Sequence, residues 1–208
     1  MKKGLFITLE GPDGSGKSTV ATAVVELLKQ KGFEVVHTRE PGGIDIAEQI
    51  RNVILDPKNT AMDARTEALL YAASRRQHLV EKVIPAKNEG KLVICERFLD
   101  SSIAYQGFGR GLGVEPILSI NKFAIDNNMP DLTIYLDVDE QTGLDRLSDR
   151  KEKDRLDVES VNFHHLVNQG YQEIVKRFKD RIKVVDASKP VEDVINDTLN
   201  IITSYIND

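Results

Sequence analysis

Apolar residues follow two alternating patterns along this chain. Short runs rich in Val, Ile and Leu predict β-strands, because strands buried on both faces of a sheet are continuously hydrophobic. These runs are 5–9, 33–38, 92–96, 132–136 and 182–185. Between them, apolar positions recur every three or four residues, which predicts helices. The alternation predicts an α/β fold with three layers, in which helices cover both faces of a five-stranded parallel sheet.

Glycines and prolines delimit the predicted helices. The first helix ends before Gly32, the second spans about 46–54 and stops before Pro57, and a long third helix opens at Asp63 and stops near Pro85. The later helices are predicted at 101–106, 114–127, 139–150, 163–178 and 191–206. No repeat or low-complexity linker interrupts this order, so we expect one domain over residues 1–208.

The segment from Gly11 to Ser18 fits the pattern G-x-x-x-x-G-K-[ST] between a strand and a helix. Its glycines let successive backbone N–H groups face phosphate oxygens, and the following helix N-terminus adds partial positive charge. Lys17 can reach the β- and γ-phosphates, and the Ser18 hydroxyl can ligate Mg²⁺. The alternative is a glycine-rich turn without a ligand. The predicted nucleoside triphosphate site contains Gly11, Pro12, Asp13, Gly14, Ser15, Gly16, Lys17, Ser18 and Thr19.

Two further charged loops follow predicted strands. Arg39 and Glu40 follow the second strand, and Glu96 and Arg97 end the third. Ligands of open α/β sheets bind at the carboxyl ends of the strands, so both loops should lie beside the phosphate site. Arg39 is therefore placed to pair with a second phosphate; the alternative is an exposed Arg–Glu pair of little energetic value.

Two helices offer groups suited to a nucleobase. Tyr71 and Arg75 are spaced i, i+4 on one helix face, where an aromatic ring and a guanidinium can stack on and hydrogen-bond a base. The alternative is an ordinary amphipathic helix with solvated arginines. The helix after the third strand carries the polar residues Ser101, Ser102, Tyr105 and Gln106.

Segment 151–157, within a candidate lid at about 146–157, is dense in charge. Such a segment is usually a solvated surface loop. A flexible loop with arginines is also what a phosphoryl-transfer lid requires. The candidate lid arginines are Arg146, Arg150 and Arg155.

Net charge and amino-acid composition argue against several classes of binding partner and favour one cellular compartment. The 208 residues carry a net charge of −5, which argues against a general nucleic-acid surface. No stretch approaches the ~20 apolar residues of a membrane span. The single cysteine, Cys95, excludes an internal disulfide, so we expect a cytoplasmic protein. The four histidines lack metal-ligand spacing, which indicates surface or structural roles.

Five motifs, at 11–18, 39–43, 71–76, 96–98 and 101–107, together resemble bacterial thymidylate kinases, which are P-loop nucleoside monophosphate kinases. The resemblance extends from about residue 5 to the last helix. It implies a P-loop kinase fold with a short mobile lid, and transfer of the γ-phosphoryl group of MgATP to dTMP, giving dTDP and ADP in dTTP biosynthesis. It also implies ATP and Mg²⁺ as cofactors, dTMP as the small-molecule partner, and a homodimer.

The resemblance further implies roles for individual residues. The implied catalytic residues are Lys17, Arg39, Arg97 and Arg150, of which Arg39 and Arg97 hold the acceptor phosphate. Arg146 and Arg155 would contact ATP, and Ser18 and Glu96 would bind Mg²⁺. The implied thymidylate site contains Asp13, Glu40, Arg51, Tyr71, Arg75, Arg97, Ser102, Tyr105 and Gln106.

At the sugar and phosphate of dTMP, the resemblance implies that Asp13 accepts a hydrogen bond from the 3′-hydroxyl. Tyr105 would pack beneath the sugar and obstruct a 2′-hydroxyl, and Arg51 would lie near the phosphate.

At the base, the resemblance implies that Tyr71 stacks on thymine, where relatives usually have Phe. Arg75 would donate to the O4 carbonyl, and Ser102 and Gln106 would complete base recognition.

The chain departs from the family pattern at residue 96. Glu96-Arg97-Phe98 stands where relatives usually have Asp-Arg-Tyr or Asp-Arg-His, so the carboxylate is one methylene longer. Gly14 and Ser15 stand where some relatives carry a catalytic arginine, which leaves the lid to supply it, with Arg150 favoured.

Two alternatives stay open from the residues. One is a related kinase that acts on another monophosphate or on a nucleoside, although phosphate-directed arginines disfavour a nucleoside. The other is a GTP-dependent switch, but the run 121–124 lacks the aspartate of the guanine motif N-K-x-D.

Overall fold

The computed structural model describes residues 4–148 and 154–207. Five strands form one sheet in the order β2-β3-β1-β4-β5, and every neighbouring pair is parallel. The predicted α/β fold with a five-stranded parallel sheet is therefore confirmed. The strands are β1 (Leu5–Glu10), β2 (Val35–Arg39), β3 (Leu92–Glu96), β4 (Leu132–Asp137) and β5 (Ile182–Asp186).

Helices connect the strands and cover the sheet. The α-helices are α1 (Lys17–Gln30), α2 (Asp45–Leu55), α3 (Ala64–His78), α4 (Ile84–Asn88), α5 (Leu99–Ser102), α6 (Val114–Ile125), α7 (Glu140–Ser148), α8 (Val161–Arg177) and α9 (Val191–Asn207). Two π-helical segments, Leu79–Val83 and Ile103–Gly109, continue α3 and α5. No helix of the described residues is long and apolar enough to cross a membrane.

The sheet separates two hydrophobic cores, as the alternation of side chains along β1 shows. Ile7 and Leu9 belong to the core that includes Val24 of α1 and Ile202 of α9. Phe6 points to the opposite face and belongs to the core that includes Tyr171 of α8. Burying a side chain of this size contributes roughly 1.5–3 kcal/mol. Both faces of β1 are therefore anchored, which holds its carboxyl end and the loop that follows it.

Helix α3 begins where it was predicted, but after it ends at His78 the helical stretch continues past Pro85. The Asp63 carboxylate caps it by accepting hydrogen bonds from the N–H groups of Arg65 at 3.0 Å and Thr66 at 3.1 Å. The predicted stop near Pro85 is wrong, because the π-helical turn at 79–83 leads into α4 and Pro85 lies in its first turn. A proline is tolerated there because its missing N–H is not needed.

Candidate active site

A cavity of about 400 Å³ opens at the carboxyl ends of β1, β2 and β3. Its wall brings together most of the residues selected from the sequence. The predicted residues that line it are Asp13, Gly14, Gly16, Lys17, Ser18, Thr19, Arg39, Glu40, Arg51, Tyr71, Arg75, Glu96, Arg97, Ser102, Tyr105, Gln106 and Arg146. Gly11, Pro12 and Ser15 lie behind this wall, within the same loop.

The loop between β1 and α1 curls around Lys17. Gly14 and Gly16 have φ angles of 78° and 83°, a region that favours glycine and turns the chain tightly into α1. The Lys17 ammonium donates hydrogen bonds to the carbonyls of Gly11 at 3.0 Å and Pro12 at 2.7 Å. This loop therefore presents a positive charge and a helix N-terminus at one end of the cavity.

Ser18 and Glu96 meet beside Lys17. The Ser18 hydroxyl donates to the Glu96 carboxylate at 2.5 Å, and the His37 ring lies 3.0 Å from its other oxygen. Burial would raise the pKa of Glu96, but the hydrogen bonds from His37 and Ser18 and the charges of His37 and Lys17 outweigh it, so this pKa is lowered. The carboxylate therefore stays ionised. Two hard oxygen ligands in contact fit the preferences of Mg²⁺.

Arg97 occupies the centre of the cavity in an uncommon backbone conformation. Its φ of 65° is rare for a residue with a side chain and is typical of functional sites. The guanidinium pairs with Asp13 at 2.6 Å and donates to the Tyr105 hydroxyl at 3.2 Å. Tyr105 in turn donates to the other Asp13 oxygen at 2.6 Å. These three predicted residues form one connected group.

A buried network behind Arg97 was not predicted. Glu10, at the end of β1, accepts hydrogen bonds from the Phe98 N–H at 2.7 Å and the Ser101 hydroxyl at 2.6 Å. Tyr171 of α8 also donates to Glu10 at 3.2 Å. Ser101 and Tyr171 each contact Arg97 as well, so this network braces the guanidinium from behind. The sequence gives no signal for Glu10, because this residue follows an apolar run without any motif of its own.

Two more arginines line the neighbouring wall. Arg39, at the end of β2, is half exposed and pairs with Glu48 at 2.8 Å. Arg51 of α2 donates to the Pro41 carbonyl at 3.0 Å. Burial and the nearby charge of Arg39 lower the pKa of Arg51. Two cations this close to each other favour an anion between them.

The far end of the cavity is built around Arg75. Its side chain is almost fully buried and donates to Glu40 at 2.8 Å, to Ser102 at 3.1 Å and to Asn121. A fourth bond runs from Nη2 to the Phe98 carbonyl at 2.8 Å. Arg75 is thus fixed in place rather than solvated, which decides against the amphipathic-helix alternative.

Tyr71 and Gln106 complete this end of the cavity. Tyr71 lies one turn before Arg75 on α3, and Gln106 belongs to the π-helical segment 103–109. Tyr71 lines the cavity, and burial raises the pKa of its hydroxyl well above the ordinary range, so the hydroxyl stays neutral. The three side chains together provide a flat ring and directed polar groups.

The lid arginines have different positions. Arg146 is exposed, lines the cavity and donates to the Gly14 carbonyl at 3.2 Å. Arg155 is buried and directed elsewhere, since it donates to the Ile54 carbonyl at 2.7 Å and to Glu67 at 2.6 Å. Arg150 lies outside the described residues, so its predicted catalytic role stays a prediction.

The cavity also includes residues that were not selected as site residues. Pro41, Phe98 and Ser101 lie within the motifs 39–43, 96–98 and 101–107, which were the available signal. The others are brought in by the folding of α2 and of segment 154–157 at the end of the predicted lid. The unselected lining residues are Pro41, Leu55, Phe98, Ser101, Asp154, Leu156 and Asp157.

Comparison with known proteins identifies the family. A family model described as thymidylate kinase matches residues 9–198. The chain belongs to the thymidylate kinase family. It is 57% identical over 206 residues to the thymidylate kinase of Geobacillus sp. (strain WCH70), and the match covers 98% of each chain. It is 58% identical over 205 residues to that of Bacillus velezensis, covering 98% of this chain and 97% of the relative.

A solved structure agrees with this assignment. The crystal structure of thymidylate kinase from Ehrlichia chaffeensis aligns with a TM-score of 0.77 at 33% identity, covering 96% of this chain and 98% of that chain. The predicted thymidylate kinase resemblance, P-loop kinase fold and kinase activity are therefore confirmed. Members of this family use a nucleotide as phosphoryl donor.

Proposed function

We propose that this thymidylate kinase transfers the γ-phosphoryl group of ATP to dTMP within the 400 Å³ cavity, giving dTDP for dTTP biosynthesis. The observation that carries the proposal is that one cavity is lined by groups suited to a triphosphate, to an acceptor phosphate and to a base. Lys17 and Ser18 belong to the first turn of α1, Arg97 follows β3, and Arg75 and Gln106 come from α3 and the segment 103–109. We expect the triphosphate, the acceptor phosphate and the base to bind at these three groups in turn.

The donor end holds the triphosphate. Backbone N–H groups of 11–18 and the Lys17 ammonium bind its phosphates, and Lys17 neutralises charge on the transferred group. Ser18 and Glu96 supply oxygen ligands for Mg²⁺, which when bound would neutralise charge on the phosphates. Among the described residues no cluster of three or more His, Cys, Asp or Glu could hold a metal by itself.

The centre holds the acceptor. Arg97 and Arg39 bind its phosphate, and Arg51 adds charge at the same wall. Phosphoryl transfer needs little covalent participation from the protein, so these residues act by alignment and charge neutralisation. Asp13 and Tyr105, which are hydrogen-bonded to each other at 2.6 Å, face the sugar. The three arginines would have nothing to neutralise if the acceptor were an uncharged nucleoside.

The far end recognises the base. Tyr71 provides a stacking surface, while Arg75, Ser102 and Gln106 provide the hydrogen-bonding groups. Glu40 holds Arg75 in place through the 2.8 Å ion pair. On the donor side, Arg146 contacts the triphosphate and Arg150 supplies the lid's positive charge. Arg155 reaches ATP only if it leaves Glu67.

We further infer one kinase domain over residues 1–208, with the lid at about 146–157, located in the cytoplasm and assembled as a homodimer. Exposed apolar side chains support the dimer: they lie on α2, α3 and α6, which pack side by side. They include Ile46, Val53, Leu69 and Phe123, of which Phe123 is 90% exposed. Sedimentation of the purified protein tests the assembly, and a monomer at micromolar concentration would contradict it.

The activity is tested by measuring ADP formed from MgATP with a panel of acceptors: dTMP, dUMP, dCMP, dAMP and thymidine. We expect the highest kcat/KM with dTMP and no turnover without an acceptor. A preference for another monophosphate would keep the kinase chemistry but overturn the base assignment. Hydrolysis of GTP without any acceptor would favour a nucleotide-dependent switch instead.

A further inference from the structure

Glu67 is a buried carboxylate that lies outside the cavity and contacts one of its walls. Its side chain is fully buried in the first turn of α3, and it accepts a hydrogen bond from the Gln106 amide nitrogen at 2.8 Å. We infer that Glu67 is a positioning residue that sets the orientation of the Gln106 amide, and so determines whether the cavity accepts thymine or cytosine. The inference rests on the proposed function.

Two arginines occupy both oxygens of the Glu67 carboxylate. Arg155 donates to its Oε2 at 2.6 Å, and Arg110 pairs with the same oxygen at 3.1 Å. Arg110 Nε also donates to Oε1 at 3.3 Å. A guanidinium group has donors only, so both carboxylate oxygens are used as acceptors. Any amide that hydrogen-bonds to Glu67 must therefore present its nitrogen.

The need to present a nitrogen to Glu67 determines which way the Gln106 side-chain amide is turned. The two ends of an amide are nearly isosteric, and the hydrogen-bond network decides which end is which. With the nitrogen turned to Glu67, the oxygen is the end left for the cavity that Gln106 lines. Gln106 is only 1% exposed, so it has little freedom to turn over.

Arg75 supplies the complementary group on the same wall. Four of its five N–H groups are donated to Glu40, Ser102, Asn121 and the Phe98 carbonyl, which leaves one Nη2 N–H for a ligand. The wall thus offers a donor beside an acceptor. Thymine has a carbonyl at position 4 and an N–H at position 3, whereas cytosine has an amino group and a bare nitrogen. The wall matches thymine and leaves cytosine with two mismatched pairs.

The test compares kcat/KM for dTMP and dCMP in the wild type and in Glu67→Gln. The amide introduced by this substitution can donate, which permits the Gln106 amide to turn its nitrogen toward the base. We expect the ratio of kcat/KM for dTMP to kcat/KM for dCMP to fall by about tenfold or more, mostly through KM. The reason is that thymine loses its hydrogen bond to the Gln106 amide while cytosine gains one. The dTMP-to-dUMP ratio should stay within about twofold, because uracil has the same two edge groups and differs only in the methyl.

A second variant and a control distinguish a change in the orientation of the Gln106 amide from a general loss of packing around the cavity. Glu67→Asp keeps the charge but withdraws the carboxylate from Gln106, and should also lower the dTMP-to-dCMP ratio; it serves if Glu67→Gln does not fold. Glu159→Gln is the control: it removes the 2.6 Å ion pair on the outer side of Arg110, contacts neither Glu67 nor Gln106, and should leave the ratio within about twofold. In a Gln106→Ala background, Glu67→Gln should change the ratio no further.

The outcomes are distinguishable. A wild type without preference for dTMP over dCMP would overturn the proposed function itself. A wild type that prefers dTMP, together with Glu67 variants of unchanged ratio, would overturn only the role of Glu67. The cavity would be shown to have loosened if the dTMP-to-dCMP and dTMP-to-dUMP ratios fell equally, or if the effect of Glu67→Gln persisted in Gln106→Ala. Either result would also overturn the role of Glu67.

Discussion

The Lys17 side chain both stabilises the loop between β1 and α1 and carries a charge suited to an anionic ligand. Its ammonium bonds to the Gly11 and Pro12 carbonyls and to the Ser15 hydroxyl, which keeps it at the entrance of α1. The positive charge is thereby fixed where the proposed function requires the phosphates of a nucleotide.

We expect Lys17→Ala to lower kcat by about a thousandfold, because a preorganised charge at the transferred group is lost. Steady-state ADP formation with saturating ATP and dTMP measures it. Lys29→Ala is the matched control, since Lys29 lies on the same helix in an exposed pair with Glu26 and should have no effect beyond about twofold. A near-normal kcat in Lys17→Ala would remove the assigned role.

Tyr105 combines two functions that can be separated by substitution. Its hydroxyl joins Asp13 to Arg97, whereas its ring packs edge-on against Tyr171 at a centroid distance of 6.4 Å. Under the proposed function, the ring would fill space beside the sugar of dTMP, whereas the hydroxyl orients the charges of Asp13 and Arg97.

We expect Tyr105→Ala to lower the preference for dTMP over its ribonucleotide counterpart by about tenfold, because the obstructing ring is removed. Tyr105→Phe should keep that preference and lower kcat/KM for dTMP instead, since only the hydrogen bonds are lost. Kinetics with both nucleotides measure the two effects. Full deoxynucleotide preference in Tyr105→Ala would argue against a steric role for the ring.

At the scale of elements, helix α7 packs directly on the phosphate loop through two glycines. A Cβ placed on Gly14 would lie 2.2 Å from the Gly143 carbonyl, and one on Gly143 would lie 3.0 Å from the Asp13 carbonyl. This contact fixes the position of α7, which leads into the lid segment. Arg146 of α7 donates a hydrogen bond to the Gly14 carbonyl at 3.2 Å. Position 14 therefore has no room for the arginine that some relatives carry in this loop.

We expect Gly143→Ala to lower kcat by about tenfold and to raise the KM for ATP, because α7 must move away from the loop and misalign its charge. Alanine is a better helix former than glycine by roughly 1 kcal/mol, so loss of helix stability does not explain the effect. The exposed Gln141→Ala on the same helix is the control. Unchanged kinetics in Gly143→Ala would show that this contact does not position the donor site.

At the scale of the whole molecule, Glu10 connects β1, the turn after β3 and α8. Burial, followed by the negative charge of Asp100, raises the pKa of Glu10 above its ordinary value of 4.5, against the hydrogen bond from Ser101 and the charge of Arg97. Because the folded state keeps this proton to a higher pH, its contribution to stability is complete below the ordinary pKa. It is lost as the pH rises through the raised pKa.

The neutral Glu10→Gln variant lacks this titration. We expect the free energy of unfolding of the wild type, minus that of Glu10→Gln, to decrease as the pH rises from about 4.5 to 8. Urea unfolding at a series of pH values measures the difference. A difference that is flat, or that increases with pH, would contradict the raised pKa.

The sequence alone was sufficient for features that repeat locally. The alternation of apolar runs with helical spacing determined the five-stranded parallel sheet, and the 11–18 pattern determined the phosphate loop, because both depend on neighbours within one turn or one strand. The sequence determined the ends of elements less well. Pro85 did not stop the helical stretch that follows α3, because a π-helical turn placed this proline where no N–H is required.

The tertiary structure alone decided which buried groups pair. Glu10 meets Tyr171 across 161 positions of sequence, and Glu67 meets Arg155 across 88. Arg155, placed by sequence in the lid's charged segment, is instead bonded to Glu67 and the Ile54 carbonyl. Local patterns cannot contain this information, because the partner of a buried charge is chosen by whichever elements the sheet and its two cores bring together.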